Sequence, residues 1–223
     1  MNIKLLIEAI IKYLLGVIIV GLLLFIPANS FNYYNGWLFM GLLFIPMFIL
    51  GVIMMIKNPS LLKSRLNARE KENDQKIVVI LSGIMFIIGF LLAGFNYRFK
   101  WIDLPNIVVI ISSIIFILAY ILYCEVLKEN AYLSRTIEVS KNQKVIDTGL
   151  YRIVRHPMYT ITIVLFFTIP LILGSVIALI PFLMYPFIII RRITNEEIVL
   201  EKELVGYKEY KKKVKYKLIP FIW

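Results

Sequence analysis

The chain has 223 residues, of which 60% are hydrophobic, and 25 basic against 14 acidic residues give it a formal net charge of +11. Its apolar residues stand in runs near twenty residues long, which the core of a soluble domain of this size does not require. The composition therefore predicts an all-α, polytopic integral membrane protein. The basic residues stand in short loops between apolar runs, where they suit anionic lipid headgroups, so we expect membrane lipids and no nucleic acid as partners.

Four apolar runs in the first part of the chain predict membrane-spanning helices. The first is expected to be a span and not a removed signal peptide, since no good cleavage site follows it. A longer apolar tract, residues 160 to 190, is interrupted by three prolines and a glycine and predicts two short or tilted helices folded at about Gly174-Ser175. The total is five to six spans. The four earlier ones are predicted at residues 5 to 26, 37 to 56, 77 to 96 and 104 to 127.

Lysine and arginine alternate between the loops, with none in residues 27 to 36 and six in residues 57 to 76. Counted over the whole chain, 23 of the 25 basic residues fall on one side of the predicted membrane. The positive-inside rule then predicts that both termini are cytoplasmic. Segment 57 to 76 mixes polar and apolar residues and is expected to lie along the membrane interface.

Two residue types limit the chemistry, because Cys124 is the only cysteine and His156 the only histidine. A lone cysteine excludes an intramolecular disulfide and a cysteine-built zinc site, and we expect it to be apolar filler. The chain has no HExxH, no phosphate-binding glycine loop and no serine nucleophile elbow. We therefore expect no metal.

The polar motif that surrounds the histidine stands at the start of an apolar segment. Pro157 favours an extended His156 and is a natural first residue of a helix, whose free amides and dipole favour an anionic group. The alternative is an interfacial belt of tyrosines and snorkelling arginines without chemistry. The motif is Gly149-Leu150-Tyr151-Arg152-Ile153-Val154-Arg155-His156-Pro157-Met158-Tyr159.

A second polar group stands where the last apolar helix is expected to leave the membrane. Arg192 and Glu196 are four residues apart and therefore share a helix face. They are either a solvated ion pair of little energy or the site of a cationic ligand that partners the acids. Beyond them, residues 200 to 218 predict one amphipathic helix at the interface, with Tyr207 and Tyr210 packed against the domain.

Taken together, the two groups resemble the isoprenylcysteine carboxyl methyltransferase family, whose relatives include the phospholipid N-methyltransferases. The resemblance covers about residues 136 to 223 and rests on the motif around His156, on Glu196-Glu197-x-x-Leu200, and on Gly206-Tyr207-x-x-Tyr210 followed by Leu218-Ile219-Pro220. The sequence has no internal repeat and no low-complexity linker, so we expect one membrane domain over residues 1 to 223, with N-terminal spans in residues 1 to 127. The resemblance implies a methyltransferase core in residues 128 to 223.

The resemblance also implies a cofactor, S-adenosylmethionine, in a pocket open to the cytosol, and a lipid-like acceptor that enters from the bilayer. It makes Arg192 and Glu196 the catalytic pair, with Arg192 on the substrate side and Glu196 as the cofactor-binding acid. The other implied cofactor contacts are a strip of Gln143, Lys144, Val145 and Ile146, and a facing wall of Tyr151, His156, Pro157, Met158 and Tyr159.

The acceptor decides which groups the reaction needs. A carboxylate is already ionised and requires only a donor such as Arg192 to orient it. An amine must lose a proton, for which Glu196, Glu197 or His156 would be the candidate base. Two further readings are a membrane NADPH-dependent reductase of the sterol-reductase type, whose phosphates the two acids would repel, and a scaffold without catalysis.

Overall fold

A computed structural model of the chain describes residues 3–67, 73–134, 136, 139 and 142–223, with the backbone alone at residues 73 and 74. Every regular element in these residues is helical, so the predicted all-α class is confirmed. Parts of two predicted features, residues 68–72 of the interfacial segment and residues 137, 138, 140 and 141 at the start of the family resemblance, lie outside the described residues.

Four helices are long and apolar enough to cross a membrane, and the prediction of a polytopic membrane protein is confirmed. Each has 24 to 27 residues, which at 1.5 Å per residue spans a hydrocarbon core of about 30 Å. Many of their isoleucine and leucine side chains are exposed, as lipid-facing residues must be. The four are α1 (Ile3–Ala28), α2 (Tyr34–Lys57), α4 (Asn73–Phe99) and α5 (Asn106–Glu129), with the short α3 (Pro59–Leu66) after α2.

The long apolar tract is broken where its sequence indicates. Helix α6 (Pro157–Ile172) ends before Gly174, which has a left-handed φ of +74° and leaves no room for a Cβ beside the Asn35 amide. A single turn, α7 (Leu179–Phe182), and α8 (Tyr185–Glu203) follow. Helix α6 has 16 residues, fewer than a straight span requires, so the total of five to six spans stays a prediction.

Helix packing brings the two halves of the chain together. Helix α6 packs mainly on α5, α1 packs on α4, and α4 also contacts α7 and α8. Phe39, Phe116 and Phe182 are buried in the core that these helices share. The N-terminal spans are therefore in direct contact with the helices that carry both polar groups.

The carboxyl-terminal region differs from the single amphipathic helix that the sequence predicts. Helix α8 ends at Glu203, and a separate helix, α9 (Tyr207–Lys213), follows Gly206. Gly206 has a left-handed φ of +87°, which interrupts the helical conformation between the two. Residues 214 to 218 are not helical. The prediction that Tyr207 and Tyr210 pack against the domain is confirmed, since both are buried.

Candidate functional site

The motif around His156 leads into α6 as the sequence predicts. A short 3-10 helix, Gly149–Arg152, precedes it, and Pro157 is the first residue of α6. His156 is the residue before that helix, with an extended φ of −125°. The histidine and its neighbour Arg155 are each only 5% exposed, so neither side chain snorkels to the membrane surface.

A buried cluster joins this motif to α8. Glu197, 4% exposed, accepts a hydrogen bond of 2.7 Å from Nε of Arg155, and its same oxygen lies 3.2 Å from Nε2 of His156. Its other oxygen lies 3.5 Å from Nζ of Lys217. A carboxylate with this many cationic neighbours holds the histidine loop against the last long helix.

The environment of Glu197 decides its role. Burial alone would raise the pKa of this carboxyl, but hydrogen bonds and charge from His156 and Arg155 outweigh it and hold the pKa well below its ordinary value of 4.5. Glu197 therefore stays ionised, with its lone pairs engaged. Of the three candidate bases for an amine acceptor, Glu197 therefore does not have the raised pKa that a base requires, and this alternative is wrong.

The segment after α9 completes the motif through backbone hydrogen bonds. The amides of Arg155 and His156 donate to the carbonyls of Tyr216 and Lys217, both at 2.9 Å. The Arg155 side chain also donates to the carbonyls of Val214 and Lys215, both at 2.8 Å. Arg155 is thus held by four acceptors: the Glu197 carboxylate of α8 and the carbonyls of residues 214, 215 and 216.

Next to this cluster lies a cleft with about 880 Å³ of empty space, part of it open to solvent. Ten of the eleven sequence-predicted site residues line it: Gln143, Lys144, Val145, Ile146, Tyr151, His156, Met158, Tyr159, Arg192 and Glu196. Pro157 is buried at the start of α6 and does not line the cleft. The histidine loop, the strip at 143 to 146 and the foot of α8 therefore face the same space.

One tyrosine connects the two predicted catalytic residues. The Tyr159 hydroxyl donates to Oε2 of Glu196 at 2.6 Å and accepts from Nε of Arg192 at 2.9 Å. The sequence predicts that Arg192 and Glu196 share a helix face, and in the structure the Tyr159 hydroxyl of α6 lies beside both. The acid and the arginine are consequently fixed relative to each other and to the start of α6.

Comparison with known families bears on the segment that carries this geometry. Residues 107–202 match the model of the Isoprenylcysteine carboxyl methyltransferase (ICMT) family. The match supports the resemblance to that family which the sequence motifs indicate. The matched residues include nearly all of α5 and α8 and the whole of the histidine loop and α6, so the match supports a membrane methyltransferase. A search of the curated proteins finds no match.

Several cleft residues lie outside the matched family segment or were not singled out from the sequence. Tyr207 and Tyr210 of α9 line the cleft, and the Tyr210 hydroxyl donates to the carbonyl of Tyr151 at 2.7 Å. Arg155 lines it too, although its guanidinium is occupied by the buried cluster. The amphipathic pattern of the tail indicates that these tyrosines are buried, but it does not indicate what they cover.

The tyrosines give the cleft neutral hydroxyl groups. Burial raises the pKa of Tyr151, Tyr207 and Tyr210 well above the ordinary value of 10.0, and the nearby carboxylates act in the same direction on each. Asn130 donates to the Tyr151 hydroxyl at 3.0 Å. At neutral pH these phenols are hydrogen-bond donors, and none supplies a negative charge.

Proposed function

We propose that the protein transfers the methyl group of S-adenosylmethionine to a lipid-like acceptor, most simply a carboxylate, at a membrane surface. One observation carries the proposal: His156 at the entrance of α6 and Glu196 at the foot of α8 line the same cleft, although forty residues separate them in the chain. The family match supports methyl transfer. The identity of the cofactor, the class of acceptor and the roles of the residues are part of the proposal.

The lining of the cleft fits the proposed cofactor. Glu196 offers a carboxylate to the ammonium group of the cofactor's amino acid part. Gln143 and the backbone of residues 144 to 146 offer donors and acceptors to its adenosine part, and Met158 with Tyr159 gives an apolar wall beside the reacting centre.

When bound, S-adenosylmethionine supplies a methyl group that forms a C–O bond with the acceptor carboxylate as its C–S bond breaks, and the two opposite charges are neutralised without a proton transfer. The residues of the chain therefore need only to position the cofactor and the acceptor carboxylate. Arg192, held by the Tyr159 hydroxyl, orients the carboxylate, while Glu196 is held by the same hydroxyl on the cofactor side. Because Glu197 is committed to Arg155, it is not available as a base.

The acidic residues weigh against the reductase alternative. A nicotinamide cofactor brings phosphate groups, and the Glu196 carboxylate lines the cleft in which they would have to bind. Arg155, which also lines the cleft, is paired with the buried Glu197 and is not available to bind a phosphate. An ammonium and a sulfonium suit this environment better than phosphates do.

We further propose that both termini and the cleft face the cytosol, as the distribution of basic residues indicates. Helix α9 is rich in lysine and adjoins the cleft, which suits contact with the anionic lipids of an inner leaflet. The acceptor would then be an amphiphile whose tail stays in the bilayer.

The direct test is thermal denaturation of the purified protein in detergent, with S-adenosylmethionine, S-adenosylhomocysteine or NADPH added. We expect stabilisation by the first two and none by NADPH. Stabilisation by NADPH alone would replace the proposal with the reductase, and no response to any of the three would favour the scaffold. Incubation of lipid extracts with methyl-labelled cofactor then identifies the acceptor.

A further inference from the structure

Gln75 lies beside the predicted catalytic arginine, although it belongs to a different part of the chain. It lies in the first turn of α4, two residues before the apolar run that begins at Ile77, and its side chain is fully buried at 0% exposure. Its Oε1 accepts a hydrogen bond of 3.4 Å from Nη1 of Arg192. Helix α4 precedes the matched family segment 107–202, so Gln75 is a contribution of this chain's own N-terminal half.

The other half of the Gln75 amide has no partner. Its Nε2 is buried and makes no hydrogen bond within the part of the chain that the structure describes. The opposite orientation of the amide would bring its NH₂ group against the N–H donors of Arg192, so hydrogen bonding favours the orientation given. A buried donor without an acceptor is unfavourable and indicates that a group from outside the chain supplies the acceptor.

We infer that Gln75 binds the methyl acceptor, its amide nitrogen donating to the acceptor's carboxylate beside Arg192. The inference rests on the proposed function and specifies its substrate. A donor next to a cation suits an anionic, hydrogen-bond-accepting headgroup and disfavours a protonated amine, which has only donors to offer. The position of Gln75 at the end of an apolar span fits a headgroup whose tail extends along the helices into the bilayer.

The test compares Gln75→Met with a matched variant in the same helix. Asn96 is also buried in α4, but its amide nitrogen donates to the Ile102 carbonyl at 2.9 Å and its amide oxygen accepts from the Ile102 amide at 3.1 Å. Both variants replace a buried amide with an apolar chain of similar size. Asn96→Leu breaks satisfied hydrogen bonds, whereas Gln75→Met removes an unsatisfied donor.

With N-acetyl-S-farnesyl-L-cysteine as the carboxylate probe, we expect Gln75→Met to raise the KM for the probe by about tenfold, the effect of one hydrogen bond to a charged group. Its melting temperature should be equal to or above that of the wild type, and its affinity for S-adenosylhomocysteine unchanged. Asn96→Leu should lower the melting temperature and leave the probe KM as it is. A purely structural role for Gln75 would not produce this contrast.

A second comparison uses S-farnesylcysteamine, which carries an amine in place of the carboxylate. We expect the carboxylate probe, and not the amine, to stabilise the wild type in detergent, and Gln75→Glu to reverse that preference. An unchanged probe KM in Gln75→Met, or no stabilisation of the wild type by the carboxylate probe, overturns the inference. If S-adenosylhomocysteine still binds in that case, the proposed function stands without it; loss of cofactor binding in the wild type would remove the proposed function itself.

Discussion

The Nε atom of Arg155 lies 2.7 Å from Oε1 of Glu197, and both side chains are almost completely buried between the histidine loop and α8. The pair is adjacent to the cleft but its charges are used internally. Arg155 and Glu197 therefore form a structural pair, whereas Arg192 and Glu196 form a second pair that lines the cleft.

Replacement of Glu197 should unfold the site. In Glu197→Gln the Arg155 guanidinium keeps two carbonyl partners but loses its buried counter-charge, and breaking such a pair typically costs about 3–5 kcal/mol. We expect a large fall in the melting temperature in detergent together with loss of cofactor binding. Glu203→Gln, at an exposed position of the same helix, is the control and should change neither. A Glu197→Gln protein as stable as wild type would show that the pair is not structural.

Stability should depend on pH through the same carboxyl. Because the pKa of Glu197 is lowered in the folded protein, its contribution is fully present above the unfolded value near 4.5 and is lost as the pH falls below that value. We expect the difference in melting temperature between wild type and Glu197→Gln to be constant from about pH 5 to 7 and to shrink toward pH 3. Parallel curves over the whole range would contradict this assignment.

Removal of the Tyr159 hydroxyl should uncouple the two catalytic candidates. Tyr159→Phe keeps the ring that packs at the start of α6 but removes the hydrogen bonds to Glu196 and Arg192. Hydrogen bonds to charged groups contribute about 1.5–3 kcal/mol, so kcat/KM should fall by about tenfold to a hundredfold. Initial rates measure the fall in kcat/KM, and calorimetry measures any accompanying change in cofactor affinity. Tyr185→Phe, which loses only a contact with the Thr162 hydroxyl, should retain nearly full activity.

Substitution of Glu196 should impair cofactor binding, whereas substitution of Arg192 should impair turnover. We expect Glu196→Ala to weaken binding of S-adenosylmethionine by about tenfold or more, because an ammonium group loses its counter-charge. Arg192→Ala should bind the cofactor normally and show a large loss of turnover. Isothermal calorimetry separates the two, and an unchanged cofactor affinity in Glu196→Ala would reverse the roles.

The sequence predicts the parts of this structure that depend on local pattern. Hydropathy locates α1, α2, α4 and α5, and the proline after His156 predicts the start of α6. The roles of Glu196 and Glu197 could not be separated in this way, because neighbouring residues on a helix point in different directions and only the packing of the histidine loop decides which one is buried.

Two other features lay beyond sequence reasoning for a different reason. The pairing of residues 155 and 156 with residues 216 and 217 uses backbone groups, which every residue except proline carries, so no side-chain pattern reports it. A glutamine just before an apolar run has the same sequence pattern whether it contacts lipid headgroups or, as Gln75 does, an arginine from another helix. Long-range contacts of single polar residues are visible only in the folded chain.

The backbone pairing of segment 214–218 with Arg155 and His156 also sets an order of events during synthesis. Every residue that lines the cleft precedes this segment in the chain, so the helices can enter the membrane before the segment that holds Arg155 and His156 has been made. Until the segment emerges from the ribosome and docks, Arg155 lacks three of its hydrogen bonds and His156 lacks one. The histidine loop can therefore reach its final position only after translation has passed the lysine-rich helix α9.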